Sequence, residues 1–156
     1  MCQMKKQTNS HDLKLEEPAA IYGEKREARK NKAMNAGETV ECIRAGLPMV
    51  EFDALQALLG LGAEALAGHL AISRSTLVRR RKSGRLDAQE SDRLLRYARL
   101  YARAESTLGD AESARQWLQS PARALAYESP LHFAEIEAGA REVEHLLGRI
   151  EYGVFS

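Results

Sequence analysis

Cysteine is almost missing: Cys2 and Cys42 are the only two in 156 residues. Two thiols cannot make a disulfide framework, so they read as free thiols of a reducing compartment. No apolar run approaches the ~18 residues or more that would mark a membrane span. A secretory signal is lacking too, so a cytoplasmic protein without a membrane partner is expected. Aromatic residues make up 6%, and no stretch keeps an apolar/polar alternation of period two for long, which argues against a sheet. The groupings that chemistry needs are also missing. His69, His132 and His145 have no Cys or His at ligand spacing. His145 beside Glu142 and Glu144 reads as a surface pattern, His69 as a packing or surface residue, and Trp117 as core rather than a stacking platform. There is no Gly-rich phosphate loop and no convergent titratable set. No enzyme, metal or cofactor is expected.

What is present is charge, unevenly placed. The net charge of the chain is only +1. From Ile72 to Arg103, however, ten bases face three acids, giving +7, and from Ala104 to Ser156 nine acids face four bases, giving −5. The first segment suits a polyanion and the second would be repelled by one. Two functions in series explain this most simply.

The basic segment begins in a recognisable pattern. Leu66 and Leu70 are one helical turn apart, Ala67 is small, and Ile72 is an apolar anchor just after them. Ser73 is a good N-cap for a second helix, Leu77 points back to the core, and Gly84 suits a left-handed stop. The spacing predicts a helix-turn-helix, whose second helix enters a major groove by its N-terminal part. Arg74, Ser75, Thr76, Arg79 and Arg80 are the candidate base readers, and Arg81, Lys82 and Arg85 the candidate phosphate contacts. Ala71 stands where such turns usually carry Gly to accommodate a positive φ. It implies either a strained turn or a turn of another shape. The competing reading is a helical hairpin with a solvated basic face.

The rest of the chain reads as helices. Residues 1–37 are polar and mixed in charge, a flexible arm that is either a solvated tail or an arm that touches DNA phosphates. Residues 38–108 form the DNA-binding domain and 109–156 a C-terminal domain. Val40 and Ile43 make a turn or two before Gly46 and Pro48; Phe52, Leu55, Leu58 and Leu59 mark the next helix. Asp87–Glu90 is a capping box opening a helix to about Leu108. Leu94, Leu95, Ala98, Tyr101 and Ala102 form its apolar stripe, and Arg93, Arg96, Arg99 and Arg103 line the other side. That row is either an exposed face or extra phosphate contact. Ala114, Trp117 and Leu118 share a short helix, and Ser129-Pro130 opens another with Leu131, Phe133 and Ile136 as buried candidates. Gly139 breaks the run. A last helix holds Val143, Leu146, Leu147 and Ile150, and Val154-Phe155 reads as docked or partner-facing.

Several separated blocks then resemble one family in the right order. They are Leu61-Gly62 through Leu86, Glu90 to Arg96, Ala114 to Leu118, Pro121 to Leu125, Ser129-Pro130-Leu131, and the ending Gly148-Arg149-Ile150-Glu151-Tyr152-Gly153. From about Thr39 to Ser156 the chain resembles the Xre/MbcA/ParS antitoxins. The resemblance implies an all-α protein in which an Xre-like helix-turn-helix domain precedes a small helical toxin-binding domain. It implies a type II antitoxin that binds operator DNA, represses its own operon, and blocks a RES-domain toxin, an enzyme that degrades NAD. It places the chain end against the toxin's active-site cleft, here Arg149, Glu151 and Tyr152. A homodimer within the complex is expected. Gly62, where the family often has Ser or Thr, and Ala71 depart from its pattern. The alternative is a stand-alone helix-turn-helix regulator whose C-terminal half only dimerises.

Overall fold

A computed structural model describes residues 35–153. The arm up to residue 34 and the Val154-Phe155 end lie outside the described residues. Helices α1 (Ala36–Ala45), α2 (Met49–Leu59), α3 (Ala63–His69), α4 (Arg74–Ser83) and α5 (Ala88–Leu108) come first. Helices α6 (Ala111–Gln119), α7 (Pro130–Phe133) and α8 (Glu137–Glu151) follow, with a 3-10 turn at Arg123–Leu125 before α7. Among the described residues there is no strand, only an isolated antiparallel bridge between Pro48 and Arg85.

Side chains start most of these helices. Asn35, Ser73, Asp87, Asp110 and Ser129 each accept from a first-turn N–H, satisfying one of the donors a helix start leaves unpaired. Asn35–Glu38 and Asp87–Glu90 are complete capping boxes. The first helix is therefore earlier and longer than the turn or two expected around Val40. Gly62 starts α3 with no side-chain cap.

Helix α5 is the spine. It packs against α1 and α2 on one side of the chain and against α6 and α8 on the other. Its buried residues include Leu94, Tyr97, Ala98, Leu100, Tyr101 and Ala104. Tyr97 and Leu100 were not in the expected stripe, whereas Ala102 was and is exposed. A helix covered by several neighbours buries more than one row, so a single-stripe reading undercounts it. Burial pushes the Tyr97 hydroxyl up, and it donates to the Leu131 carbonyl at 3.1 Å.

Two further expectations are corrected. Gly139 does not break a helix; it lies buried within α8, where an added Cβ would sit 1.8 Å from the Phe133 carbonyl oxygen. Its missing side chain lets α8 pass over the end of α7. Ile136 is not buried: it holds extended backbone angles at the N-cap of α8 and is 67% exposed. Trp117 is half-buried against the core.

Candidate functional site

The turn between α3 and α4 is a Schellman motif. The Ile72 N–H donates to Ala67 at 2.8 Å and the Ala71 N–H to Gly68 at 3.0 Å. Ala71 occupies the left-handed position itself, at φ +53°. The turn keeps the glycine shape and carries the strain of a Cβ. Ile72 is buried behind it, and Leu66, Ala67, Leu70 and Leu77 complete the contact between the two helices and the core. Ser73 caps α4 through Thr76 N–H at 3.2 Å and also donates its hydroxyl to Thr76 Oγ1 at 2.9 Å.

The far end of α4 is clamped. Gly84 stops the helix at φ +75°. Its carbonyl accepts from Met49 N–H at 2.8 Å, while Leu86 N–H donates to Leu47 at 2.9 Å. Gly46 allows this close passage, because a Cβ there would meet the Leu86 carbonyl oxygen at 2.2 Å. Three of the candidate DNA residues serve the same clamp. Arg80 donates from Nε to Glu90 and from Nη2 to Asp87, both at 2.7 Å. Its hydrogen bond to Glu90 raises its already high pKa. Arg81 pairs with Asp53 at 2.9 Å and lies over the Phe52 ring. Arg85 donates to the Gly46 carbonyl at 3.0 and 3.2 Å.

The outward face of α4 is left to other residues. Each residue turns a helix by about 100°, so the side opposite buried Leu77 carries Ser75, Arg79 and Lys82. Arg79 and Lys82 make no ion pair or hydrogen bond among the described residues. Arg74 makes only a solvated contact with Glu64 at 3.3 Å. Ser75 and Arg79 are exposed, and Thr76 is half-buried under Ser73. Val78, absent from the sequence-derived candidates, is exposed beside them. Its phase from Leu77 was the signal available.

The arginine row of α5 is engaged with the protein itself. Arg93 donates to the Leu70 carbonyl at 3.0 Å, at the end of α3. Arg96 pairs with Glu137 at 3.0 Å and donates to the Glu135 carbonyl, also at 3.0 Å. Arg99 pairs with Glu144, and Arg103 with Glu151. Burial pushes the Glu137 carboxyl up, but the Arg96 hydrogen bond and the nearby charges of Arg99 and Arg96 outweigh it and hold it low. Three of the ten bases counted from Ile72 to Arg103 thus pair with acids of the C-terminal segment, across the face where α8 meets α5. His69, on α3, lies 3.4 Å from Glu135 and stacks at a tilt on Tyr97.

In the terminal block Arg149 pairs with Glu142 at 3.1 Å, Glu151 is taken by Arg103, and Tyr152 is 79% exposed. Only Tyr152 of the three is uncommitted among the described residues. No group of three or more His, Cys, Asp or Glu among the described residues could hold a metal ion.

A clamped helix-turn-helix with outward cations, carried on a spine shared with a second helical unit, defines a helix-turn-helix protein with an added helical module. Residues 40–99 match the antitoxin Xre-like helix-turn-helix domain, and residues 103–153 match the antitoxin Xre/MbcA/ParS C-terminal toxin-binding domain. The chain belongs to the Xre/MbcA/ParS antitoxin family, and the boundary between its two matched regions falls inside α5. The chain is 41% identical over 85 residues to antitoxin Xre of Yersinia enterocolitica, a span of 54% of this chain and 57% of that one. It is 39% identical over 74 residues to antitoxin Xre of Photorhabdus laumondii, 47% of this chain and 50% of that one. Against antitoxin Xre of Pseudomonas putida the figures are 35% over 68 residues, 44% and 43%. The matches span about half the length of these curated relatives.

Proposed function

We propose that this chain is the antitoxin of a type II toxin–antitoxin pair. Its C-terminal helices bind and block a RES-domain toxin that degrades NAD, and its α3–α4 unit binds operator DNA and represses its own operon. It acts as a homodimer on two half-sites about one DNA turn apart. The observation that carries the reading is the division of cations. Arg79 and Lys82 stand outward on α4, whereas Arg80, Arg81 and Arg85 hold α4 in place, Arg93 caps the end of α3, and Arg96, Arg99 and Arg103 meet α8. A helix held this rigidly, with donors only on its outer side, suits insertion into a groove. In the terminal block, Tyr152 offers apolar area with a polar tip to the toxin. Arg149 and Glu151 reach it once their internal pairs, which are exposed and weak, exchange.

The test is co-expression with a RES-domain protein encoded beside this chain, reading growth and cellular NAD. Rescue of both is expected, and Arg79→Ala should keep that rescue while losing operator binding. If the neighbour is toxic alone and this chain gives no rescue, the antitoxin reading is lost. The same outcome favours a stand-alone regulator whose C-terminal half dimerises, a reading that draws on the internal pairing of Arg149 and Glu151.

A further inference from the structure

Val78 is the one large apolar side chain exposed on α4, at 51%. Single exposed apolar residues are ordinary on protein surfaces. This one is set apart by its surroundings. It stands one turn after Arg74 and one turn before Lys82, in a row at i, i+4 spacing, with Ser75 and Arg79 in the next row. Leu77 alone of the helix is buried, and the remaining side chains of α4 are polar or charged. A β-branched residue there adds nothing to helix propensity and nothing to the core.

We infer that Val78 is a specificity-determining residue that packs on the C5-methyl group of a pyrimidine in the major groove. The inference rests on the reading of α4 as the groove helix. The flanking cations draw the helix onto phosphates and guanine edges. Val78 is then pressed between them toward the base edges. The C5-methyl is the apolar group that the major groove displays. A valine has no donor or acceptor to satisfy at a purine edge, so it favours the methyl. Two bases carry that group, thymine and 5-methylcytosine.

The experiment uses the full chain and an operator recovered by selection from random duplexes. Each thymine is replaced in turn by deoxyuridine, which removes the methyl and nothing else, and affinity is read by fluorescence anisotropy. Wild type should lose about fourfold at one position per half-site, the worth of one buried methyl group. Val78→Ala should bind the thymine operator about that much more weakly and be indifferent to deoxyuridine at that position. The variant keeps the helix, because alanine is the better helix former. Cytosine and 5-methylcytosine are then compared at the same position. Recovery by 5-methylcytosine above the thymine level assigns the methylated base; recovery only by thymine assigns thymine. A specific operator whose methyl losses are equal in wild type and Val78→Ala overturns this inference alone. So does a Val78→Ala chain that changes its sedimentation and leaves DNA binding unchanged, since a second copy would then cover the valine. Binding with no sequence preference at any salt overturns both this inference and the reading beneath it.

Discussion

Replacing Arg80 by Met separates a residue that reads DNA from one that holds the reading helix. Glu90 is only 5% exposed, and its Oε2 accepts both Arg80 Nε at 2.7 Å and the Asp87 N–H at 2.9 Å. Without Arg80 a buried carboxylate keeps one amide donor and gains an uncompensated neighbour in Asp87. Breaking a fully buried pair by removing one partner costs about 3–5 kcal/mol. Here the Arg80 side chain is 19% exposed and that of Asp87 47%, so solvent recovers part of it, and about 2–3 kcal/mol is expected. Adding Glu90→Gln removes the stranded charge and should return about half of the loss, a coupling of roughly 1–2 kcal/mol. Urea unfolding followed by circular dichroism gives the four stabilities. Operator affinity gives the second readout. A positioning role leaves the folded single variant's base preferences intact. Direct base contact instead costs about 1–3 kcal/mol at one base position and relaxes preference there. A coupling below about 0.5 kcal/mol, with preference relaxed at one base that Glu90→Gln does not restore, would show that Arg80 reads DNA and that the clamp is incidental.

Glu51 is 4% exposed and its Oε2 makes no hydrogen bond among the described residues; burial pushes its carboxyl up to about 7. The folded chain therefore holds a proton that the unfolded chain releases from about 4.5 upward. Its contribution is intact below that pH and is lost as pH rises through about 7, up to about 3 kcal/mol in all. Glu51→Gln should stabilise markedly at pH 8 and little at pH 4, and equal gains at both would contradict the assignment. Ala71→Gly should stabilise by about 0.5–1 kcal/mol, since relief of about 1–2 kcal/mol of left-handed strain is partly offset by the freedom glycine adds to the unfolded chain. Thermal melting decides it, and a loss of stability would mean the turn is unstrained. Gly139→Ala should cost about 3 kcal/mol or more by driving α8 from the Phe133 carbonyl, and a melt within 2 °C of wild type would refute the close approach. Tyr152→Ala should leave the melt unchanged but weaken toxin binding by about 2 kcal/mol in calorimetry; unchanged affinity removes Tyr152 from the interface.

Local signals mark the helices of the helix-turn-helix well. Ser73 and Gly84 bound α4, and the Asp87–Glu90 box opens α5 where the sequence puts it. The same kind of box at Asn35–Glu38 stands out less, because the polar sequence before it continues without a change in composition. Gly139 misled for a physical reason. Glycine lowers helix propensity wherever it occurs, and the gain that outweighs this loss comes from another helix, Phe133 in α7, that no local pattern reveals. The arginine row was visible, but its carboxylates lie 41 to 48 residues away in Glu137, Glu144 and Glu151. Spacing within α5 could not tell solvent, phosphate and protein apart. Spacing alone leaves the phase of the α4 candidates open: Arg80 and Arg81 turn toward Glu90 and Asp53, whereas Ser75, Arg79 and Lys82 lie opposite Leu77 and Val78 is exposed beside them.

The α5–α8 face joins the two halves of the chain by charge rather than by a sealed apolar core alone. Arg96 side-chain exposure is 11%, against 52% for Arg99 and 41% for Arg103. The seam is therefore firm where α8 begins and solvated from Arg99 onward to Glu151. Exposed pairs are individually weak, about 0–1 kcal/mol, and weaken further in salt. The firm end also carries the Arg96 bond to the Glu135 carbonyl, and Glu135 faces His69 at the end of α3. The solvated end carries Glu151 beside exposed Tyr152. A partner that engages the terminal block would have to displace only the weak end of the seam. The firm end, nearest the helix-turn-helix, would stay intact. The fold thus allows the last turn of α8 to change partners without disturbing the clamp that orients α4.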